Sequence, residues 1–429
     1  MTARARLFAV ICFALGALYL AKALYRGVSF TQGDFYFSLP GQYAERLNPT
    51  LWTSPDLQEA RAFNHGAYMY GPSQYLTLFP IVFLNSYRAI AATLLVAYSI
   101  VALASWYLLW TFLREGEPSI PWMGAATFAL TFAFLPLTQA LIQREFEVVA
   151  FLALVGACAL YVRHRDAASG ALVAFVTWFK YWPIVLIGTF VLNRRLRALA
   201  GFAIGSVIIL GAVHLIFGLS NFRITQTAGI VEGLMRPLGS GYVLYPAMER
   251  GALKSDFCRQ WIFGRGTAAD VRWMLCGVED RFPVLPAKAA FYAIVGVTGL
   301  VFAGGTIASS LRPRTLHDEK WTGIWEFSLL TIAGGAFVHA HYYYFIAFLL
   351  PLTALAVWYA AHPQPWRRVK IALWFACYAL LNALLLPMSW LSTVIHRNAW
   401  TMYLDSGLCL LGVLLLLTLV MWEFVRACR

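Results

Sequence analysis

The sequence predicts an all-α integral membrane protein with about 11 or 12 transmembrane helices. Three observations carry this prediction: 60% of the 429 residues are hydrophobic, only 12% are charged, and the mean hydropathy is +0.66. Soluble domains are closer to half apolar and a quarter charged. The apolar residues also form runs of about 20, the length that a helix needs to cross the hydrocarbon core.

The net charge of +13 does not indicate nucleic-acid binding, because the basic residues fall in short gaps between apolar runs. Cytoplasmic loops of membrane proteins carry such an excess of Lys and Arg. This rule places both ends of the chain on the cytoplasmic side and predicts attraction to anionic lipid headgroups. The gaps contain Arg4, Arg6, Arg114, Arg163, Arg165, Arg194, Arg195, Arg197, Arg312, Arg314, Lys320, Arg367, Arg368, Lys370, Arg426 and Arg429.

The apolar runs set the order of the predicted helices. The first run, 7–25, is long for a signal peptide and no small-residue cleavage site follows it, so a retained helix running outward is predicted. The further segments are outer loop 26–74, interfacial piece 75–84, spans 88–113 and 120–140, polar outer turn 139–147, a span ending at 161, broken segment 167–192, span 198–217, outer stretch 218–286, and spans 287–309, 323–338, 342–360, 371–388 and 403–426. No internal repeat interrupts this series, which predicts one membrane domain, 1–429.

The segment 167–192 is too long for one helix and is interrupted at Lys180-Tyr181-Trp182-Pro183. Arginines flank it on both sides, which predicts a hairpin of two short helices that both open to the cytoplasm. Broken helices are tolerated in a bilayer only where they are buried in protein or line a cavity. The break is therefore expected in one of these two environments.

Two of the seven cysteines, Cys258 and Cys276, fall in the long outer stretch. On an oxidising side of the membrane they could form a disulfide that closes a loop of about 19 residues, which in the chain-entropy view stabilises by roughly 3 kcal/mol. Two unpaired loop cysteines are the alternative. No spacing of the cysteines indicates a metal site.

Ionisable residues near the outer membrane boundary carry the functional signal. Such groups cost about 2.5–3.5 kcal/mol each on insertion scales, so they usually have a function. A base, several cations and neighbouring aromatic rings suit transfer of a group from an anionic lipid carrier. The candidates on the predicted outer side are Asp34, Arg144, Glu145, Glu147, Lys180, His339 and His341.

Each candidate has a structural alternative. Asp34 could cap the short helix that follows it. The charges at 144–147 could form a surface ion-pair cluster of little energetic weight. Lys180 could extend its ammonium to the interface, and the two histidines could be ordinary interfacial residues beside an aromatic belt. These alternatives weaken together, because independent accidents would not all fall on one face of the membrane.

Four passages together resemble the GT-C glycosyltransferases, and most of all glycosyltransferase family 87, which includes bacterial mannosyltransferases that use polyprenyl-phosphate sugars. Gly33-Asp34-Phe35-Tyr36 stands where the family places an acid in its first outer loop. The other passages are 65–72 with Pro80; 144–147 with the helix start at 163–170 and the break at 180–183; and 339–343 with Pro351. The polar turn reads Gln-Arg-Glu-Phe-Glu instead of the commoner Gly-Gln-x-Asn, which bears on the identity of the sugar or acceptor.

The resemblance implies a GT-C-type helical bundle with its active site on the extracytoplasmic face of a bacterial inner membrane. Asp34 would be the general base that deprotonates the acceptor hydroxyl for a single, inverting displacement. The leaving phosphate would be stabilised by Lys180 first, and then by Arg144, His339 and His341. The acceptor or the sugar would be held by Glu147, Glu145, Tyr36, Tyr68, Tyr70 and Trp52.

The resemblance also implies the partners, which are a polyprenyl-phosphate sugar donor, a lipid or glycan acceptor and membrane lipids. Mannose is the expected sugar, and neither a cofactor nor a metal is expected. A transporter or flippase of a lipid-linked substrate is the competing function, because polar residues in broken helices fit it too. Such proteins often contain inverted repeats, which this sequence lacks. A structural membrane subunit explains the composition but not the set of polar residues.

Overall fold

The computed structural model describes residues 2–29, 72–81, 84, 87–180, 182–217, 271–281, 286–310, 316–337, 342–386, 388–396, 399, 402–403 and 406–428. Within these ranges the chain forms α-helices and short 3₁₀ turns, and no β-strand. Six of the described helices are long and apolar enough to cross a membrane, or seven if a bent pair counts as one span. The predicted all-α polytopic membrane protein is confirmed. Several other apolar runs fold as shorter helices of 10–17 residues.

The chain divides into two compact units. Unit 1 comprises Met1–Phe112, Pro121–Ile184 and Leu196–Val231, and unit 2 comprises Leu113–Ile120, Val185–Arg195 and Glu232–Arg429. The helices of unit 1 are α1 (Ala3–Ser29), α2 (Pro72–Leu78), α3 (Tyr87–Arg114, as far as Phe112), α4 (Met123–Phe132), α5 (Leu135–Gln143), α6 (Glu147–Val162), α7 (Asp166–Thr177) and α9 (Leu196–Phe217).

The helices of unit 2 are α8 (Ile187–Leu192), α10 (Val271–Arg281), α11 (Ala287–Ser310), α12 (Leu316–Phe337), α13 (Leu349–Ala361), α14 (Arg367–Leu381), α15 (Met388–Ile395) and α16 (Leu408–Ala427). Short 3₁₀ turns occur at Phe79–Ile81, Trp182–Leu186, Tyr342–Phe348 and Ala383–Leu385. The long predicted spans at 88–113, 198–217 and 287–309 agree with α3, α9 and α11 to within a few residues. The predicted single domain 1–429 stays a prediction.

A bend of 55° separates α4 from α5, where the sequence predicts one continuous span at 120–140. Pro136 lies in the first turn of α5 and has no N–H to donate to the Phe132 carbonyl. The Thr138 hydroxyl donates to that carbonyl instead, over 3.3 Å. Pro136 therefore breaks the span, and Thr138 satisfies the backbone acceptor that the break exposes.

Helices α7 and α9 approach each other backbone to backbone through small residues. A Cβ atom on Gly201 would lie 2.0 Å from the Ala167 carbonyl oxygen, and one on Gly170 would lie 1.9 Å from the Ala198 carbonyl oxygen. Small residues allow this approach between helices in a membrane, where close packing replaces the hydrophobic driving force. One member of this pair, α7, lies directly before the chain break at 180–183.

Gly201→Val is expected to lower the melting temperature of the protein clearly, because the Ala167 backbone cannot move aside without separating α7 from α9. Overpacking costs about 1–3 kcal/mol, and a collision with backbone belongs at the upper end of that range. Gly211 lies in the same helix with nothing within 4 Å of its Cβ position, so Gly211→Val is the matched control. Thermal unfolding in detergent measures both variants, and equal melting temperatures would contradict the close packing.

Two buried carboxylates anchor side chains from several helices of unit 2. Glu423 of α16 lies 2.6 Å from Nζ of Lys370 on α14 and accepts a hydrogen bond from Nε1 of Trp358 at 3.0 Å. Glu117 lies 3.2 Å from Nε2 of His362. The sequence groups Lys370 with the basic loop residues, but it is only 6% exposed and belongs to a buried ion pair.

Candidate functional site

The candidate site of unit 1 is built at two interruptions of the helices: the turn between α5 and α6, and the end of α7. The turn is Arg144-Glu145-Phe146, shorter than the predicted 139–147, because α5 continues to Gln143. Phe146 is fully buried, and its ring meets those of Tyr98 and Phe179 edge-on, with centroids 5.8 Å and 5.7 Å apart. The contact with Phe179 joins the turn to the end of α7.

These two interruptions bring Glu147 and Lys180 together. Nζ of Lys180 lies 2.8 Å from Oε1 of Glu147, and the two side chains are 8% and 5% exposed. Glu147 is the first residue of α6, where the helix dipole favours a carboxylate. Lys180 follows α7, and its backbone N–H donates to the Val176 carbonyl over 2.9 Å. Two residues that the sequence singles out separately thus form one buried ion pair.

Burial argues against two of the structural alternatives, the surface cluster at 144–147 and the extension of Lys180 to the interface. A surface ion pair contributes about 0–1 kcal/mol, whereas removing one partner of a buried pair costs roughly 3–5 kcal/mol. Arg144, Glu145 and Glu147 are 2%, 1% and 4% exposed, so the surface-cluster interpretation of these charges does not hold. Lys180 is equally enclosed by protein, at 7%, and its ammonium meets a carboxylate.

Arg144 is held by the main chain of two other helices. The residue caps α5 in the left-handed conformation, with φ 58° and ψ 44°. Its Nε donates to the Ala91 carbonyl of α3 over 3.0 Å, and its Nη2 donates to the Gly27 carbonyl of α1 over 2.5 Å. Its role as a donor-phosphate ligand stays a prediction.

The short helix α2 begins beside the end of α7. The backbone N–H of Ser73 donates to the Trp178 carbonyl over 3.1 Å, two residues before Lys180. Ser73 and Gln74 are both fully buried. No sequence motif marked them, although two polar residues directly after Gly71-Pro72 and before an apolar run were the available signal.

Several buried acids of unit 2 also carry no recognised motif. Glu326 lies within α12, is 2% exposed and accepts a hydrogen bond from Nδ2 of Asn193 at 3.0 Å. Glu117 and Glu423 are held as described for the fold. The signal that could have found Glu326 and Glu423 is an isolated acid inside a strongly apolar run.

The remaining predicted site residues lie outside the described ranges, and their roles stay predictions. They are Asp34, Tyr36, Trp52, Tyr68, Tyr70, His339 and His341. Cys276 in α10 is disulfide-bonded, while its predicted partner Cys258 lies outside the described residues. In the described part of the chain, no group of three or more His, Cys, Asp and Glu residues could hold a metal ion.

Residues 68–232 match the model of glycosyltransferase family 87. This range contains α2, the Arg144 turn, the Glu147–Lys180 pair and the close pair of α7 and α9. Neither the curated proteins nor the solved structures yielded a match to the chain. The family match confirms the resemblance predicted from the motifs and indicates that this multi-pass membrane protein is a glycosyltransferase.

Proposed function

We propose that the protein transfers mannose from a polyprenyl-phosphate donor to a lipid or glycan acceptor on the extracytoplasmic face of a bacterial inner membrane. The family match supports sugar transfer. The buried Glu147–Lys180 pair is the observation that carries the choice of an anionic, lipid-linked donor. It sets a cation at a helix break within a membrane-embedded unit, and such a cation is suited to pair with the phosphate of a lipid-linked donor.

In the proposed reaction, the acceptor hydroxyl loses its proton to the Asp34 carboxylate as its oxygen attacks the anomeric carbon. The bond from that carbon to the phosphate oxygen breaks, and the polyprenyl phosphate leaves with the bonding electrons. One displacement inverts the anomeric centre. Charge grows on the leaving oxygen, where the Lys180 ammonium stabilises it, with His339 and His341 as further cations.

The Glu147 carboxylate has a defined task in this scheme. At 2.8 Å it fixes the position of the Lys180 ammonium before the donor binds, and a fixed charge stabilises a transition state without reorganisation. The resemblance also implies that Glu147 or Glu145 holds the acceptor, and Glu145 is the candidate that remains if Glu147 is committed to Lys180. Sugar rings would stack on the aromatic side chains that the resemblance selects, which are Tyr36, Tyr68, Tyr70 and Trp52.

The positive-inside pattern supports the proposed orientation. Basic residues fall near both termini, in the gaps that precede α7, α9 and α12, and at the start of α14. Under this rule those gaps and both termini are cytoplasmic. The Arg144 turn and the loop that carries Asp34 then fall on the opposite side.

The test is a transfer reaction with the full chain in proteoliposomes. Radiolabelled undecaprenyl-phosphate mannose is supplied with a membrane lipid extract as the source of acceptor, and products are separated after mild acid, which cleaves the phosphate-linked sugar but spares glycosidic bonds. We expect an acid-stable labelled product. Parallel donors that carry glucose or arabinose test the sugar. Movement of intact donor across the bilayer without any glycosidic product would establish the competing transporter function.

A further inference from the structure

We propose that Arg144 is a positioning residue, which fixes the ends of α1 and α3 against the turn that leads to Glu147. Its guanidinium contacts carbonyl oxygens on both helices. The residue is 2% exposed. This role replaces that of a phosphate ligand. It rests on the proposed function, in which Asp34 is the general base, because Asp34 lies in the segment between α1 and α3.

The contact with α1 is made at the point where that helix ends. Gly27 is the third residue from the end of α1, and the last four carbonyls of a helix have no helical N–H partner. A cation at this position also complements the helix dipole. A Cβ atom on Gly27 would lie 2.7 Å from Cδ1 of Leu95, so α3 packs directly against α1 here.

The contact with α3 is made in its second turn, at Ala91, through Nε. One guanidinium therefore holds the helix that leads into residues 30–86 and the helix that follows them. Asp34 comes five positions after Ser29, the last residue of α1. Arg144 is also three positions before Glu147 in the sequence. It therefore connects both ends of the segment 30–86 to the turn that carries the buried Glu147–Lys180 pair.

The backbone of Arg144 offers a comparison within the same chain. Left-handed residues with the same pair of hydrogen bonds end α6 at His164 and α8 at Arg194, and both of these side chains are exposed. Glycine is the residue best suited to such a position. At Arg144 alone among the three, the side chain is buried on carbonyl oxygens, so its contacts offset the backbone strain.

The test compares Arg144→Met, Arg144→Lys and Arg144→Gly in the full chain. We expect Arg144→Met to lower kcat for transfer from undecaprenyl-phosphate mannose about 100-fold, because a misplacement of about 1 Å has that effect. KM for the donor should stay within about threefold, since no donor contact is lost. Amide hydrogen exchange at 24–29 and 87–95 should become faster. Arg144→Lys should restore part of the protection.

Arg144→Gly is the sharpest variant, because it relieves the left-handed backbone and removes only the side chain. We expect it to lose activity as Arg144→Met does, whereas His164→Gly, the matched control, should keep wild-type kcat. A tenfold rise in KM with unchanged exchange would make Arg144 a donor ligand and overturn the proposal. Wild-type kcat in Arg144→Gly would overturn it too. The exchange measurement needs no donor, so it decides the role of Arg144 even if the proposed donor is wrong.

Discussion

Asp34→Asn is expected to reduce sugar transfer by at least about a hundredfold while leaving the protein folded, since a positioned base contributes about 10²–10⁴-fold. The amide cannot accept the proton of the acceptor hydroxyl at neutral pH. Asparagine is nearly as good a helix N-cap as aspartate, so the capping alternative predicts the opposite result, full activity. The measurement is kcat for transfer from undecaprenyl-phosphate mannose, together with the melting temperature of the variant.

Two companion variants complete this test. Asp34→Glu keeps the carboxylate one methylene further out and should retain a measurable part of the activity. Asp34→Ala removes the carboxylate altogether and should lose activity, and an added loss of stability in this variant alone would support the capping alternative. Retained transfer in Asp34→Asn would rule out the base assignment, whatever the behaviour of the other two.

Lys180→Met is expected to lower both stability and activity. It leaves the Glu147 carboxylate buried at 4% exposure without its cation, which costs roughly 3–5 kcal/mol. It also removes the charge proposed to stabilise the leaving phosphate. We expect kcat/KM for the donor to fall at least about a hundredfold, comparable to the loss of a single transition-state donor in other enzymes.

Lys370→Met is the matched control for this effect. Lys370 forms a buried pair with Glu423 at 2.6 Å, in unit 2 and outside the range matched by the family. Both variants should lose similar stability, but only Lys180→Met should lose transfer per folded molecule. In Glu147→Gln with Lys180→Met, stability should recover in part, because no unpaired charge is left buried, while activity should not. Wild-type transfer by this double variant would contradict the role of Lys180.

The sequence predicts those helices well whose hydrophobic runs are uninterrupted. Membrane length and apolarity alone set α1, α3, α9 and α11, because each needs only enough apolar residues to span the bilayer. Apolarity alone does not predict the bend at Pro136, since apolar residues flank it on both sides. Composition also cannot show that the Thr138 hydroxyl replaces the lost backbone donor.

The candidate site was predictable in residue type but not in pairing. Charges at 144–147 and at Lys180 stand out in an apolar chain because burial makes them costly. Which charge meets which is decided by contacts between distant segments, so the sequence could not pair Glu147 with Lys180. The sequence also could not predict that the Arg144 side chain donates hydrogen bonds to two backbone carbonyls. The burial of Lys370 was missed for the same reason, as its partner Glu423 follows 53 residues later.

The Arg144 contacts also constrain the order in which the protein can be completed during synthesis. Arg144 follows Ala91 by 53 residues and Gly27 by 117 residues. Helices α1 and α3 are therefore translated before the side chain that joins them. Lys180 is translated later still. Asp34 is among the first residues made, yet the arrangement proposed around it can form only when translation has passed Lys180.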